Sequence, residues 1–543
     1  MSERRLVLGL DSSTQSLTAV LVDIKKRTIV AEHSLSYKSD PRLSGFGFEH
    51  ESFIVPPREP GEADQPPRLF LASLDAILSD LKAQGVSLSE IAAINVSGQQ
   101  HGHVYLGPQT QTAFMKLRAA DSQESTLVEL IGDVFSYGTA PIWKTSNTAA
   151  ESAELREAMG GRENMIRASG SDSPLRFTAA VIRRVGKQFP TLYEKTGTIL
   201  LISNFIPAIL CGNHRVGIDI GNGAGTSLMN YSGKTWDKEL LAATAAGLPG
   251  GVEALQSKLP PIVHPLDTAG TIAPYFINKY GFNPCCQVMV GSGDNPQTKV
   301  LFDGDLLSLG TSFVMMASTT EGTVDLAGYA NAMYDGLGRP FCFGCRTNGA
   351  LVWDRVRLLH GLSPTDYAAC EQSLASVPLG TTNRLWQPDT ESFPFSAAFG
   401  LTRKDSHPAD FNHDYAGVVD SSLVLLWYYS QGFAPSIGTQ ASKPLYLSGG
   451  PSANKEIVKR VAAIWNRPTI VIGKAGAAIG AAAAAAIALA PQSERDAFAH
   501  ELCTALVNGA KPVLADKKNV DAMRGTWVNK LIDSFKNLQA LSV

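Results

Sequence analysis

Apolar and polar positions alternate in short blocks from the start of the chain. Leu6-Val7-Leu8-Gly9-Leu10 is apolar, Asp11-Ser12-Ser13-Thr14-Gln15-Ser16 is polar, and Leu17 to Val22 is apolar again. This pattern predicts two strands joined by a polar turn. The same plan returns at Leu306-Leu307-Ser308-Leu309, Gly310-Thr311-Ser312 and Phe313-Val314-Met315-Met316. Helical spacing of Leu69, Phe70, Leu74, Ile77, Leu78 and Leu81 predicts an amphipathic helix over 68–83, ended by Gly85. Further helices are expected at 148–159, 350–359 and around 421–429. Strands are expected at 91–97, 199–203, 286–290 and 445–448. A helix at 455–465 followed by a strand at 469–472 would complete a βαβ unit.

Polar clusters sit at the carboxyl ends of several of these strands, where open α/β folds place ligands. Gly291-Ser292-Gly293-Asp294-Asn295-Pro296 follows an apolar strand and seats an acid suited to general-base work, although a plain strand-ending turn uses the same residues. Gly98-Gln99-Gln100-His101-Gly102-His103 offers amide and imidazole groups for hydroxyls; its His-x-His lacks a third metal ligand at strand spacing. The hairpin at 5–22 directs backbone N–H groups and hydroxyls into one concavity that suits phosphate, and Asp11 suits Mg²⁺, directly or through water. Gly217 to Thr226 is glycine-dense and reads either as the wall of a polar pocket or as a flexible loop. Gly449-Gly450-Pro451 turns into a helix and leaves bare backbone for a flat ring or a phosphate. Two hairpins of one plan, about 300 residues apart, imply an internal duplication with a cleft between the halves.

A length of 543 residues is too great for one core, so at least two domains are expected. A net charge of −3 and no long basic run give no general attraction to nucleic acid or an anionic membrane. The first residues are too soon interrupted by acid for a signal peptide, and the Ala475–Ala490 run is a poor membrane span. Seven scattered cysteines form no disulfide framework, which points to a reducing cytoplasm; Cys342 and Cys345 form a lone CxxC with no second pair. No GxxxxGK[ST] stretch occurs, which excludes a Walker-type phosphate loop.

Taken in order, Asp11-Ser-Ser-Thr-Gln15, Gly98-Gln-Gln-His-Gly102, Gly291-Ser-Gly-Asp-Asn295, Ser308-Leu-Gly-Thr-Ser312 and Ser448-Gly-Gly-Pro-Ser452 resemble the FGGY family of carbohydrate kinases. The resemblance spans nearly the whole chain. It implies an α/β, two-domain actin/hexokinase-like (ribonuclease H-like) ATPase fold with a duplicated βββαβαβα core, its domains divided at 1–300 and 301–543. Gly98–Gly102, Arg176-Phe177-Thr178 and Gly293–Pro296 look most like the family's xylulose kinases. The implied activity is ATP- and Mg²⁺-dependent phosphorylation of a small ketose at its primary hydroxyl, D-xylulose foremost. Other acceptors (ribulose, ribitol, glycerol) and a non-catalytic actin-like nucleotide-binding protein are the alternatives. By the same resemblance Asp294 is the base, and Gln100, His101, Arg176, Asp294 and Asn295 hold the sugar. Asp11 handles the metal, Ser12, Ser13, Thr14, Gly310, Thr311 and Ser312 handle phosphates, and Gly449, Gly450, Pro451 and Asn454 border the adenine. Partners are then the sugar and ATP, with no nucleic acid or membrane, in a monomer or homodimer. Lys116-Leu117-Arg118-Ala119-Ala120-Asp121 stands where the family often has Trp-Asn-Asp, and Pro364 where an adenine-side aromatic is expected.

Overall fold

The computed structural model describes residues 5–119, 124–363, 365–434, 443–473 and 476–540. Ala120, Asp121 and Pro364 lie outside them. The chain forms two compact units. The first comprises Met1–Leu301, Ala332–Pro340 and Ala475–Leu506; the second comprises Phe302–Asn331, Phe341–Lys474 and Val507–Val543. Each unit is thus assembled from segments distant in sequence, and the crossing near residue 301 is one of several.

The first unit is built on a mixed sheet. Its opening strands are β1 (Leu6–Ser12), β2 (Ser16–Asp23) and β3 (Thr28–Ser36). β1 pairs antiparallel with β2, with Asp11 opposite Thr18, and β2 pairs antiparallel with β3. On its other side β1 pairs in parallel with the strand Ile91–Gly98, which pairs in parallel with Gln287–Met289. The predicted amphipathic helix is α1 (Pro67–Ala83), whose leucines and phenylalanine are buried.

The second unit repeats this order. Asp305–Leu309 pairs antiparallel with Phe313–Ser318, which pairs antiparallel with Pro340–Arg346. Asp305–Leu309 also pairs in parallel with Leu445–Ser448, and that strand with Thr469–Val471. Helices Ala350–Leu359 and Lys455–Trp465 form where the periodicity predicts, while the helix expected around 421–429 runs the full length of Phe411–Ser430. Cys342 and Cys345 lie three residues apart on one strand, so their side chains leave opposite faces.

The alanine-rich segment forms the buried helix Ala477–Leu489 of the first unit. It lies directly on β1, because a Cβ on Gly9 would fall 2.0 Å from the carbonyl oxygen of Ala478. It presses as closely on the helix Asp294–Lys299, because a Cβ on Gly480 would fall 1.8 Å from the carbonyl oxygen of Gln297. Neither obstacle is a flexible side chain. Among the described residues no helix is long and apolar enough to cross a membrane.

Gly480→Ala is expected to destabilise the protein by about 1–3 kcal/mol or more through overpacking. The control is Gly45→Ala, at an exposed position where an added Cβ meets nothing within 4 Å. Urea denaturation of both variants checks this; equal midpoints would refute it.

Candidate active site

Strand register gathers the acids of the first unit. Asp11 of β1 stands opposite Ser97. On the other flank of the same central strand, the short strand Ser292–Gly293 pairs in parallel, with Ser292 opposite Ser97 and Gly293 opposite Gly98. The chain reaches that position through Gly291, at φ +81°, where a Cβ would collide with the Ser203 carbonyl. Asp294 is the next residue after this strand and the first of the helix Asp294–Lys299.

Asp294 Oδ1 accepts hydrogen bonds from the backbone N–H of Asn295 at 2.9 Å, from Asn295 Nδ2 at 3.2 Å and from the backbone N–H of Gln100 at 3.3 Å. Asn295 Nδ2 also donates to Gln100 Oε1 at 2.9 Å, so Gln100, Asp294 and Asn295 form one network. Burial pushes the Asp294 carboxyl up to about 7, and the negative charge of Asp11 adds to the rise. Burial also raises Asp11, against the hydrogen bond that Ser97 Oγ donates to it at 2.7 Å. Two desolvated carboxyls that repel one another are a place where a divalent cation gains.

His101 holds a left-handed backbone, φ +68°. Its ring stacks on Phe177 with centroids 4.2 Å apart. Its Nδ1 lies 2.8 Å from the carbonyl oxygen of Gly225. A carbonyl only accepts, so Nδ1 carries the proton and Nε2 is left as an acceptor. Burial, and then the charge of Arg176, press the His101 pKa down to about 3, so the ring is neutral. His103 is buried between the His101 carbonyl and the Tyr105 hydroxyl, a structural position.

Gly217 to Thr226 is neither a flexible loop nor a solvated one. Ile218–Asp219 is a short strand and Ile220–Ala224 a helical turn, all buried, with Asp219 capping the turn. Close ordering follows from the carboxylate satisfying the first N–H groups of the turn.

The polar side chains of the turn after β1 have partners within the protein. The Ser12 side chain is buried. Ser13 Oγ donates to the Ser16 carbonyl at 3.0 Å. Thr14 Oγ1 donates to Gln99 Oε1 at 3.1 Å and accepts from the indole N–H of Trp143 at 2.8 Å. Trp143 is 44% exposed and sits beside this turn. Nothing in its local sequence signals that place, because only the fold brings it 129 residues back along the chain.

In the second unit, the turn Gly310-Thr311-Ser312 lies against the start of the helix Ala350–Leu359. Ala350 N–H donates to the Gly310 carbonyl at 3.0 Å, and Ser312 Oγ to the Thr347 carbonyl at 3.3 Å. Thr311 is exposed. Gly449, at φ +95°, packs against the Leu309 carbonyl, whereas Gly450 faces open space. Pro451 is half-buried in the helical turn Gly450–Ala453. Asn454 caps the helix Lys455–Trp465, its Oδ1 accepting from Glu456 N–H at 2.9 Å. That oxygen is committed, and only the amide nitrogen of Asn454 remains for a ligand.

Known proteins bear on this geometry. The model of the FGGY family of carbohydrate kinases, N-terminal domain, matches residues 135–300. A protein of Aspergillus flavus named probable D-xylulose kinase A is 31% identical over 524 residues, 89% of this chain and 89% of its own length. D-xylulose kinase A of Aspergillus niger is 30% identical over 489 residues, 84% of this chain and 83% of its own. The solved xylulose kinase from Rhodospirillum rubrum covers 99% of both chains with a TM-score of 0.79 at 18% identity, which speaks for the fold, the two-domain actin-like ATPase fold. With this extent of identity to its relatives, the chain belongs to the FGGY family of carbohydrate kinases.

Proposed function

We propose that the protein transfers the γ-phosphoryl group of ATP to the primary hydroxyl of D-xylulose, with Asp294 as general base. The observation that carries this reading is the Asp294 carboxyl itself, pushed up to about 7 by burial at the end of a sheet strand. A base whose pKa lies near neutrality takes a proton without holding it too weakly or too tightly. The choice of D-xylulose rests on the names of the relatives.

Oδ1 of Asp294 receives the three bonds described above. Oδ2 is then the oxygen that takes the hydroxyl proton as the sugar oxygen attacks phosphorus and ADP leaves. His101 Nε2 accepts from a second sugar hydroxyl, and Arg176, Gln100 and Asn295 complete the sugar's polar contacts. Asp11 would hold Mg²⁺, directly or through water, and the ion would neutralise phosphate charge. Its fit rests on the mutual repulsion of Asp11 and Asp294, which a cation relieves. In the first unit the Ser13–Thr14 turn, and in the second the Gly310–Ser312 turn, would meet phosphates, and Gly449, Gly450 and Pro451 the adenine. Ser12 contributes through its backbone, since its side chain is buried.

ADP release with Mg-ATP across D-xylulose, L-xylulose, D- and L-ribulose, ribitol and glycerol tests the acceptor. Strong stimulation by D-xylulose is expected; stimulation by another member alone would move the acceptor, and none at all would favour the nucleotide-binding scaffold. Asp294→Asn should lower kcat by roughly 10²–10⁴-fold while sugar binding, followed by calorimetry, persists. Near-normal kcat would remove Asp294 from the role.

The same carboxyl makes the unliganded protein's stability pH-dependent. Between its ordinary value near 3.8 and about 7, the folded chain keeps a proton that the unfolded chain releases. Stability from this group therefore falls as pH rises through that window. Melting curves should show Asp294→Asn gaining on the parent protein as pH rises from 4 toward 7, with the gain level above that. A pH-independent difference would contradict the raised pKa.

A further inference from the structure

We infer that Asp219 is a positioning residue for the turn that presents Asp294, acting through Ser292. The inference rests on Asp294 being the base.

Asp219 is fully buried and accepts four hydrogen bonds. Oδ2 takes the N–H of Gly221 at 3.0 Å, the N–H of Asn222 at 3.3 Å and the hydroxyl of Ser292 at 2.5 Å. Oδ1 takes Asn222 Nδ2 at 2.7 Å. Capping a turn accounts for the first two. The other two go further. Ser292 is 73 residues away in sequence and two residues before Asp294. Asn222 Nδ2 also lies 2.7 Å from Ser203 Oγ and 3.4 Å from Asn204 Oδ1. Asn204 in turn donates to the carbonyl of Val290 at 2.8 Å. The segment 290–294 is thus pinned at Val290 by Asn204, at Ser292 by Asp219 and at Asp294 by the Gln100 N–H. At Gly293 an added Cβ would fall 2.2 Å from Gln100 Cγ and 2.9 Å from Asn222 Oδ1, so both side chains stand close against the segment.

The chemistry requires an acid at 219. Three of its four partners, the two backbone N–H groups and the amide nitrogen, can only donate. An asparagine there would set its own NH₂ against one of these donors. Turning Asn222 to compensate would leave Ser203 bonded only with its hydroxyl as the donor. An amide oxygen also accepts more weakly than a carboxylate, so the Ser292 tether would loosen, and the seat of Asp294 with it.

The test measures kcat and KM of Asp219→Asn and Ser292→Ala, per folded molecule as judged by circular dichroism, alone and in the Asp294→Asn background. Misplacement of a reacting group by about 1 Å costs up to about 100-fold. A fall in kcat of about 10- to 100-fold is expected for Asp219→Asn, a smaller fall for Ser292→Ala, and a sugar KM within about 3-fold for both. With Asp294 already replaced, Asp219→Asn should cost less than about 2-fold more, since the two act as one unit. Unchanged kcat per folded molecule in both variants, or the full loss repeated in the Asp294→Asn background, would overturn the inference. If Asp219→Asn does not fold, Ser292→Ala decides alone, and normal kcat there counts against it. Normal kcat in Asp294→Asn would overturn the base reading, and this inference with it; an inactive Asp294→Asn beside normal Asp219→Asn and Ser292→Ala would overturn this inference only.

Discussion

The first unit depends on how closely one helix approaches the sheet. Ala477–Leu489 touches β1 at Gly9 and the helix Asp294–Lys299 at Gly480, with backbone against backbone in both places. Interiors packed at crystal-like density do not absorb an extra methylene freely. The strand that carries Asp11 and the helix that begins at Asp294 are therefore both referenced to one rigid element. Its own composition, mostly alanine with a glycine at the closest contact, suits such close approach.

On that frame sits a polar centre whose charges are all conditional. Asp11 and Asp294 are held where ionisation is costly, and His101 is held neutral by burial and by the nearby Arg176 charge. Such a site holds its groups poised, because a proton or a cation is worth more there than in water. The surrounding network places its three donors on Asp294 Oδ1. Hydrogen bonds also orient Gln100, Asn295 and His101.

Much of this was legible beforehand, for a local reason. Strand–turn–strand blocks at 5–22 and 306–316, and helices at 67–83, 350–359 and 455–465, follow from periodicity that neighbouring residues share. The glycines around Asp294 also spoke locally, through the turn they permit. Less was legible where a side chain's partner is remote. The hydroxyls of Ser13 and Thr14 have protein partners, Ser16, Gln99 and Trp143, and the Ser12 side chain is buried, none of which the turn's own sequence reveals. Asn454 also caps a helix with its side-chain oxygen, a role that the Gly-Gly-Pro turn before it does not signal. Gly217 to Thr226 read as a wall or a loose loop because its buried acid, Asp219, has partners at 292 and 222 that composition does not reveal.

Sequence by itself determined the strand and helix blocks, the repeat of one hairpin plan, and the residue types available for phosphoryl transfer, because each depends on spacing within a few residues. Tertiary structure alone decided which segments share a unit. The helix Ala477–Leu489 returns to the first unit because its small residues fit against Gly9 and Gln297, a match between surfaces some 180 to 470 residues apart. Tertiary structure also decided which acids ionise readily. An aspartate's pKa is set by the desolvation and charge around it, and for Asp294 those come from burial and from Asp11, far away in the unit's sequence.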